Sequence, residues 1–395
     1  MTGVSYGEVN PPLRVLLGPG PSNVHPRVQR AMTAPLVGHL DPYFFRIMDE
    51  TTELLRAVFQ TANRLTFPVS GTGSAGMEAS LCNFLEPGDV AVMGVNGLFG
   101  ERMVDVASRC GAQVVPIPAE WGRIIEPEAI EAALKKQKKV KLLALVHAET
   151  STGAHQPLVE ASRLAKAHDA LFLADTVTSL GGTEVAVDGW GIDICYSGTQ
   201  KCLSCPPGLA PLTANDKALA AVRGRKNKVQ SWYLDISMLE SYWSKGRFYH
   251  HTAPILMVYA LHEALALVVE EGLERRFQRH RRNGAALHAG LEAMGLKLHA
   301  QEGHRLSMLT SVRIPEGVDD RKVRGALLNE FGIEIGGGLG PLAGKIWRIG
   351  LMGHSSTAEN VLMLLYALEQ VLAKEGKVVP PGAGVTAAGR ILSGG

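Results

Sequence analysis

The 395-residue sequence predicts an α/β fold: a large domain with a mostly parallel seven-stranded sheet between helices, followed by a smaller C-terminal α/β domain. Three observations carry this expectation. Short β-rich runs alternate with helical segments from about residue 66 to 214, polar residues gather at the carboxyl ends of those runs, and beyond residue 255 long helical stretches take over. Apolar strands separated by helices imply a parallel sheet covered on both faces. Such open sheets bind their ligands along the carboxyl edge, so the site is expected there.

The strand runs lie at 65–69, 90–95, 113–117, 142–147, 171–174, 192–196 and 209–213. Of the later stretches, 255–271 is rich in Ala and Leu and 273–294 is dense in Arg and Glu, and together they read as a bridge into the second domain. Strands near 307–312 and 345–351 and helices near 321–331 and 357–372 complete that domain. The expected organisation is an N-terminal arm at 1–25, a large domain at 26–271, a small domain at 272–375 and a flexible tail at 376–395. The tail opens on the Gly/Pro-rich run Val378-Val379-Pro380-Pro381-Gly382-Ala383-Gly384.

The length allows a large and a small domain with a substantial apolar interior. A formal charge of +2, from 40 basic and 38 acidic residues, offers nothing to a polyelectrolyte, so no nucleic-acid partner is expected. The basic cluster Arg275, Arg276, Arg279, Arg281 and Arg282 reads as a solvated helix face. Five cysteines without a framework suit a reducing compartment. Cys202 and Cys205 form one CxxC without a second pair or nearby histidines, so no metal site is expected. The beginning of the chain has no basic-then-apolar leader, the end has no peroxisomal signal and no apolar run spans a bilayer, so a soluble cytoplasmic protein without a membrane partner is expected.

The chemistry enters at Ser197-Gly198-Thr199-Gln200-Lys201, which places a lysine in a small-residue turn just after an apolar strand, where it can form a Schiff base. Upstream, Asp175 ends the run Ala170-Leu171-Phe172-Leu173-Ala174 as an acid at the tip of a buried strand. Pyridoxal phosphate requires that pair: a carboxylate to keep its ring nitrogen protonated, and a lysine to carry the aldehyde and later move a proton. Gly71-Thr72-Gly73-Ser74-Ala75-Gly76 matches GxGxxG, but the next strand ends in Asn96 instead of a ribose-binding acid. What remains is a turn and helix N-terminus suited to a single phosphate.

Together with Leu17-Gly18-Pro19-Gly20-Pro21-Ser22-Asn23, Glu149-Thr150-Ser151-Thr152-Gly153, Asp175-Thr176-Val177, Tyr249-His250-His251-Thr252 and Arg348-Ile349-Gly350, these motifs resemble the class V, fold type I aminotransferases, particularly the alanine:glyoxylate (serine:pyruvate) group. The resemblance runs from about residue 13 to 372. It implies Lys201 as the Schiff-base lysine, Asp175 as the partner of the ring nitrogen, Val177 on one ring face and Phe99 on the other, where relatives often carry Trp. It further implies Thr150 at the ring hydroxyl, Thr72, Gly73, Ser74 and Gln200 at the phosphate, and Tyr249 and Thr252 reaching the phosphate across a homodimer with shared sites. Arg348 corresponds to the arginine that binds the substrate α-carboxylate, and Gly20 lies in the wall that keeps the side-chain pocket small. The implied substrates are a small L-amino acid, alanine or serine, and glyoxylate as the 2-oxo acid. The sequence leaves open whether Arg46 or Arg102 enters the site, and His147 receives no catalytic role.

One alternative is a relative that uses (S)-ureidoglycine as donor to glyoxylate, a group whose members tend to carry Gln at the position of His39 and Asn at that of Tyr249. A lyase such as a cysteine desulfurase would need a cysteine on a mobile loop, and the loop Gly336-Gly337-Gly338-Leu339-Gly340 has none. A regulator that binds the cofactor without catalysis would need a DNA-binding segment outside the resembling span, where little chain is left.

Overall fold

The computed structural model describes residues 7–394, so the first six residues of the expected arm and the last of the expected tail lie outside the described residues. All seven expected strands form one sheet: β1 (Leu65–Ser70), β2 (Val90–Val95), β3 (Gln113–Pro118), β4 (Leu142–Val146), β5 (Leu171–Asp175), β6 (Ile194–Tyr196) and β7 (Leu209–Ala214). Their spatial order is β1-β7-β6-β5-β4-β2-β3. Strand β7 runs antiparallel to β1 and β6, and every other pairing is parallel. Strands β4, β5, β6 and β7 are buried along their whole length, which is why they read as continuous apolar runs.

Register decides where the chemistry lies. Asp175 pairs with Val146 on one side and Tyr196 on the other, so three strands end at one level. The turns that follow them, carrying residues 147–153, 176–178 and 197–201, therefore emerge side by side at the carboxyl edge. The turn after β1 leads there too, into the helix Gly73–Phe84.

A second apolar core forms around Leu287, Leu327, Trp347, Ile349, Leu364 and Leu368. It is shared by helices Leu273–Ala293, Asp320–Phe331 and Ala358–Lys374 and by a small antiparallel sheet. That sheet consists of β8 (Leu309–Arg313), β9 (Gly336–Gly337) and β10 (Ile346–Gly350), with β10 in the middle. Residues 15–17 of the expected arm are stitched into this second unit. Val15 and Leu16 pair in parallel with Ile333 and Glu334, and Leu17 is a fully buried member of its core. The chain then crosses to the larger apolar core around the seven-stranded sheet, where the Ser22 hydroxyl donates to the carbonyl of Lys201 at 2.8 Å.

The tail departs from the expectation of flexibility, because Ala383–Ser393 is a helix packed on Leu273–Ala293. The Gly/Pro run forms the turn before it: Gly382 adopts φ 68°, and its N–H donates to the Glu369 carboxylate at 3.0 Å. Small residues then permit close approach. A Cβ on Gly290 would sit 2.9 Å from the Gly384 carbonyl oxygen, and Ala388 is fully buried. Composition misleads here because residues that usually loosen a chain serve as a tight helix-helix contact. Among the described residues no helix is long and apolar enough to cross a membrane.

Candidate active site

Asp175 ends β5 almost wholly buried. Its two oxygens accept from the Tyr196 hydroxyl at 2.6 Å and the Val177 N–H at 2.9 Å. Burial pushes the carboxyl up to about 6, and these hydrogen bonds oppose the rise. The lysine turn is fixed to the sheet: Ser197 N–H donates to the Pro211 carbonyl at 2.8 Å and the Ser197 hydroxyl to that of Thr176 at 3.0 Å.

Lys201 is 8% exposed, and its Nζ donates to the Pro19 carbonyl. Burial, reinforced by the Arg348 guanidinium, lowers its amine to about 8. Gly20 lies against it with φ 107°; a Cβ there would sit 2.6 Å from the lysine Cδ and 2.7 Å from Nζ. No side chain fits at position 20 while the lysine holds this position.

A cleft of about 210 Å³ is lined by Thr72, Gly73, Ser74, Met77, Phe99, Arg102, Asp175, Val177, Gln200 and Lys201. Eight residues singled out in the sequence thus meet in one place. Arg348 is nearly buried on β10; its Nε donates to the Gly337 carbonyl at 2.8 Å and one terminal nitrogen to the Thr150 carbonyl at 3.2 Å. Burial lowers it to about 10, which still leaves it cationic at neutral pH. The Thr150 hydroxyl lies 2.5 Å from that of Thr178. Tyr249 and Thr252 are exposed and outside the cleft of their own chain.

The open question about arginines resolves by position: Arg102 lines the cleft with its guanidinium 5.1 Å from the Phe99 ring, whereas exposed Arg46 lies over Tyr43. His147 is buried within contacts to Ser179 at 2.9 Å and His155 at 3.0 Å. The basic cluster expected as a solvated face splits, because Arg276 is buried and donates to the carbonyls of Gly181 and Cys202, bracing the lysine turn. Sequence reasoning gave no role to Met77 or Glu149. The latter carried a visible signal, an acid inside a Ser/Thr/Gly turn directly after an apolar strand.

The whole-chain comparisons agree with this geometry. The family model described as aminotransferase class-V matches residues 24–364. The chain belongs to the class V aminotransferases. It is 45% identical to the (S)-ureidoglycine–glyoxylate transaminase of Bacillus subtilis, over 96% of each chain. The crystal structure of the ureidoglycine–glyoxylate aminotransferase from Bacillus subtilis superposes with a TM-score of 0.96 at 47% identity, covering 98% of this chain and 100% of that one. That of an alanine–glyoxylate aminotransferase from Nostoc sp. gives 0.92 at 51% identity, covering 93% and 98%.

Class V aminotransferases use pyridoxal phosphate, and the residues of this class V chain fit that group. Thr72 is the N-cap of Gly73–Phe84 yet makes no side-chain capping bond, so its hydroxyl is available at the end of the cleft where a helix N-terminus favours an anion. The Gln200 amide oxygen, buried with no partner among the described residues, only accepts, so this side chain would meet a phosphate through its NH2. Asp175 would supply the carboxylate, and Phe99 and Val177, which line the same cleft, would supply apolar surface.

The lowered lysine has a measurable consequence, since only the neutral amine attacks an aldehyde. As pH rises through about 8, Lys201 loses its proton. The rate at which cofactor-free protein captures pyridoxal phosphate is expected to rise through that range and then level, followed by absorbance in stopped flow. A rate still climbing toward pH 10 would assign the lysine an ordinary amine.

Proposed function

We propose that this class V aminotransferase moves the amino group of L-alanine or L-serine to glyoxylate, releasing pyruvate or hydroxypyruvate and glycine. The observation that carries the reading is Arg348: a nearly buried guanidinium beside the lysine, with hydrogen bonds only to backbone carbonyls. Among the described residues no side-chain carboxylate forms an ion pair with it, and a substrate α-carboxylate matches its planar fork. Pro19 and Gly20 lie against the lysine side chain, which favours a short substrate side chain.

In this reading pyridoxal phosphate, when bound, supplies an electron sink that makes the substrate α-hydrogen acidic. Asp175 holds the ring nitrogen protonated. Lys201 takes the α-proton and returns it, a role that its lowered basicity suits near neutral pH. Thr72, Gly73, Ser74 and Gln200 hold the phosphate, Thr150 the ring hydroxyl, and Phe99 and Val177 the ring faces.

The reading includes a homodimer in which Tyr249 and Thr252 serve the partner's site. Exposed apolar side chains support it: Leu36, Leu40, Trp232, Phe248 and Tyr249 are each at least 49% exposed, and Tyr249 lies 5.3 Å from His39 between ring centroids. We place the protein in the cytoplasm and divide it at 26–271 and 272–375; five free, buried cysteines and two separate cores support these assignments.

A second reading, ureidoglycine as donor, is favoured by the similarity to the Bacillus subtilis relative over nearly the whole chain. Glycine formation from glyoxylate, measured with each donor in turn, separates the two. The expected result is a kcat/KM for L-alanine or L-serine at least about tenfold above that for (S)-ureidoglycine, a difference of about 1.4 kcal/mol in transition-state binding. The opposite order would replace the first reading by the second.

A further inference from the structure

The turn Asn96-Gly97 leads from β2 into the helix Leu98–Arg109, whose first turn carries Phe99. The first N–H groups of a helix have no partners within it. Gly97 is the N-cap and has no side chain to offer. Three successive N–H groups are met instead from the turn after β4. Leu98 donates to the Ser151 hydroxyl oxygen at 2.9 Å, and Phe99 and Gly100 donate to one Glu149 oxygen at 3.2 and 3.4 Å. The other Glu149 oxygen accepts from the Ser151 N–H at 3.0 Å and from its hydroxyl at 2.5 Å. Both residues are fully buried.

The fit leaves no slack. A Cβ on Gly97 would lie 2.4 Å from Glu149 and 2.5 Å from the Ser151 hydroxyl, so the turn tolerates only glycine there. Thr150, between the two anchoring residues, gives its carbonyl to Arg348. One short turn therefore holds both the first turn of the Phe99 helix and the guanidinium of the carboxylate clamp.

We infer that Glu149 is a positioning residue, an acid that reaches from a neighbouring strand to fix the Phe99 ring against the cofactor site. The inference rests on the proposed reading that Phe99 covers a ring face. The chemistry calls for a carboxylate, because every bond Glu149 makes here is accepted from an N–H or O–H. A glutamine would turn its NH2 against Ser151 or against the helix N–H groups, setting donor against donor in a buried site. Burial pushes the Glu149 carboxyl up to about 7, the hydrogen bonds from Ser151 and Gly100 oppose that rise, and the ionised form is also favoured at a helix N-terminus.

The test uses cofactor-loaded Glu149→Gln, Ser151→Ala and Phe99→Ala beside the wild type, reading visible circular dichroism and the rate of pyridoxal phosphate release on dilution. Glu149→Gln is expected to release the cofactor about tenfold faster and to lose most of the dichroism, as Phe99→Ala does, from the loss of charged hydrogen bonds. Ser151→Ala, which removes the hydroxyl's bond from the Leu98 N–H and its bond to Glu149 but leaves Glu149 on the helix, is expected to shift both readouts less in the same direction, and it carries the test if Glu149→Gln does not fold. Wild-type values in folded Glu149→Gln, or in Ser151→Ala where that variant stands alone, would overturn the inference while Phe99→Ala remains impaired. Wild-type values in Phe99→Ala would overturn the stacking role itself, and the inference with it.

Discussion

Lys201→Ala is expected to lower turnover by about ten thousandfold or more, because in the proposed reading the substitution removes both the covalent anchor of the cofactor and the base that moves the α-proton. The protein should still fold. Lys201 makes a single side-chain hydrogen bond, to the Pro19 carbonyl, and its turn is held by Ser197 and Thr199 through the backbone. Pyridoxal phosphate should therefore bind without covalent attachment and be released by gel filtration. Added methylamine should restore part of the activity, since a free amine can enter the space the lysine leaves. Full turnover in Lys201→Ala, measured as pyruvate formed from alanine and glyoxylate, would remove the lysine from the centre of the account.

Asp175→Asn is the second large loss, expected at about a thousandfold in kcat, the size of losing a preorganised electrostatic partner. The neutral amide preserves shape, its oxygen can accept from the Val177 N–H, and its NH2 can donate to the Tyr196 hydroxyl oxygen in place of the bond the carboxylate accepts there. It cannot hold a ring nitrogen in the protonated state. Burial pushes the carboxyl itself up to about 6 even with Lys201 and Arg102 nearby, and the positive charge of a bound protonated ring would lower it further, as any opposite charge lowers a buried acid. The deficit in Asp175→Asn should consequently appear in α-proton removal, measured with α-deuterated alanine as an enlarged isotope effect. Wild-type kcat would show that Asp175 has no part in catalysis.

Much of this site was legible because its residues sit at the ends of apolar strands. Asp175 and Lys201 stand out as polar residues where continuous β runs stop, and the parallel register brings those ends to one edge. The GxGxxG turn was readable for the same reason, its helix following β1 directly. Glu149 was harder. It lies in a turn whose other residues already suggested binding, and its work is done on a helix start distant in sequence. Arg276 was misread because side-chain periodicity on a charged helix does not say which arginine meets buried carbonyls of another segment. The C-terminal helix was hidden by composition, since Gly and small residues mark both loose chain and close packing.

The most direct test of the central claim is the visible spectrum of the purified, cofactor-loaded protein, titrated first with L-alanine and then with glyoxylate. The expected result is a yellow band near neutral pH that L-alanine bleaches with release of pyruvate and that glyoxylate restores with formation of glycine, leaving the cofactor unconsumed. A band that no amino acid bleaches, or one bleached without a 2-oxo acid appearing, would contradict the assignment of this cleft to amino-group transfer.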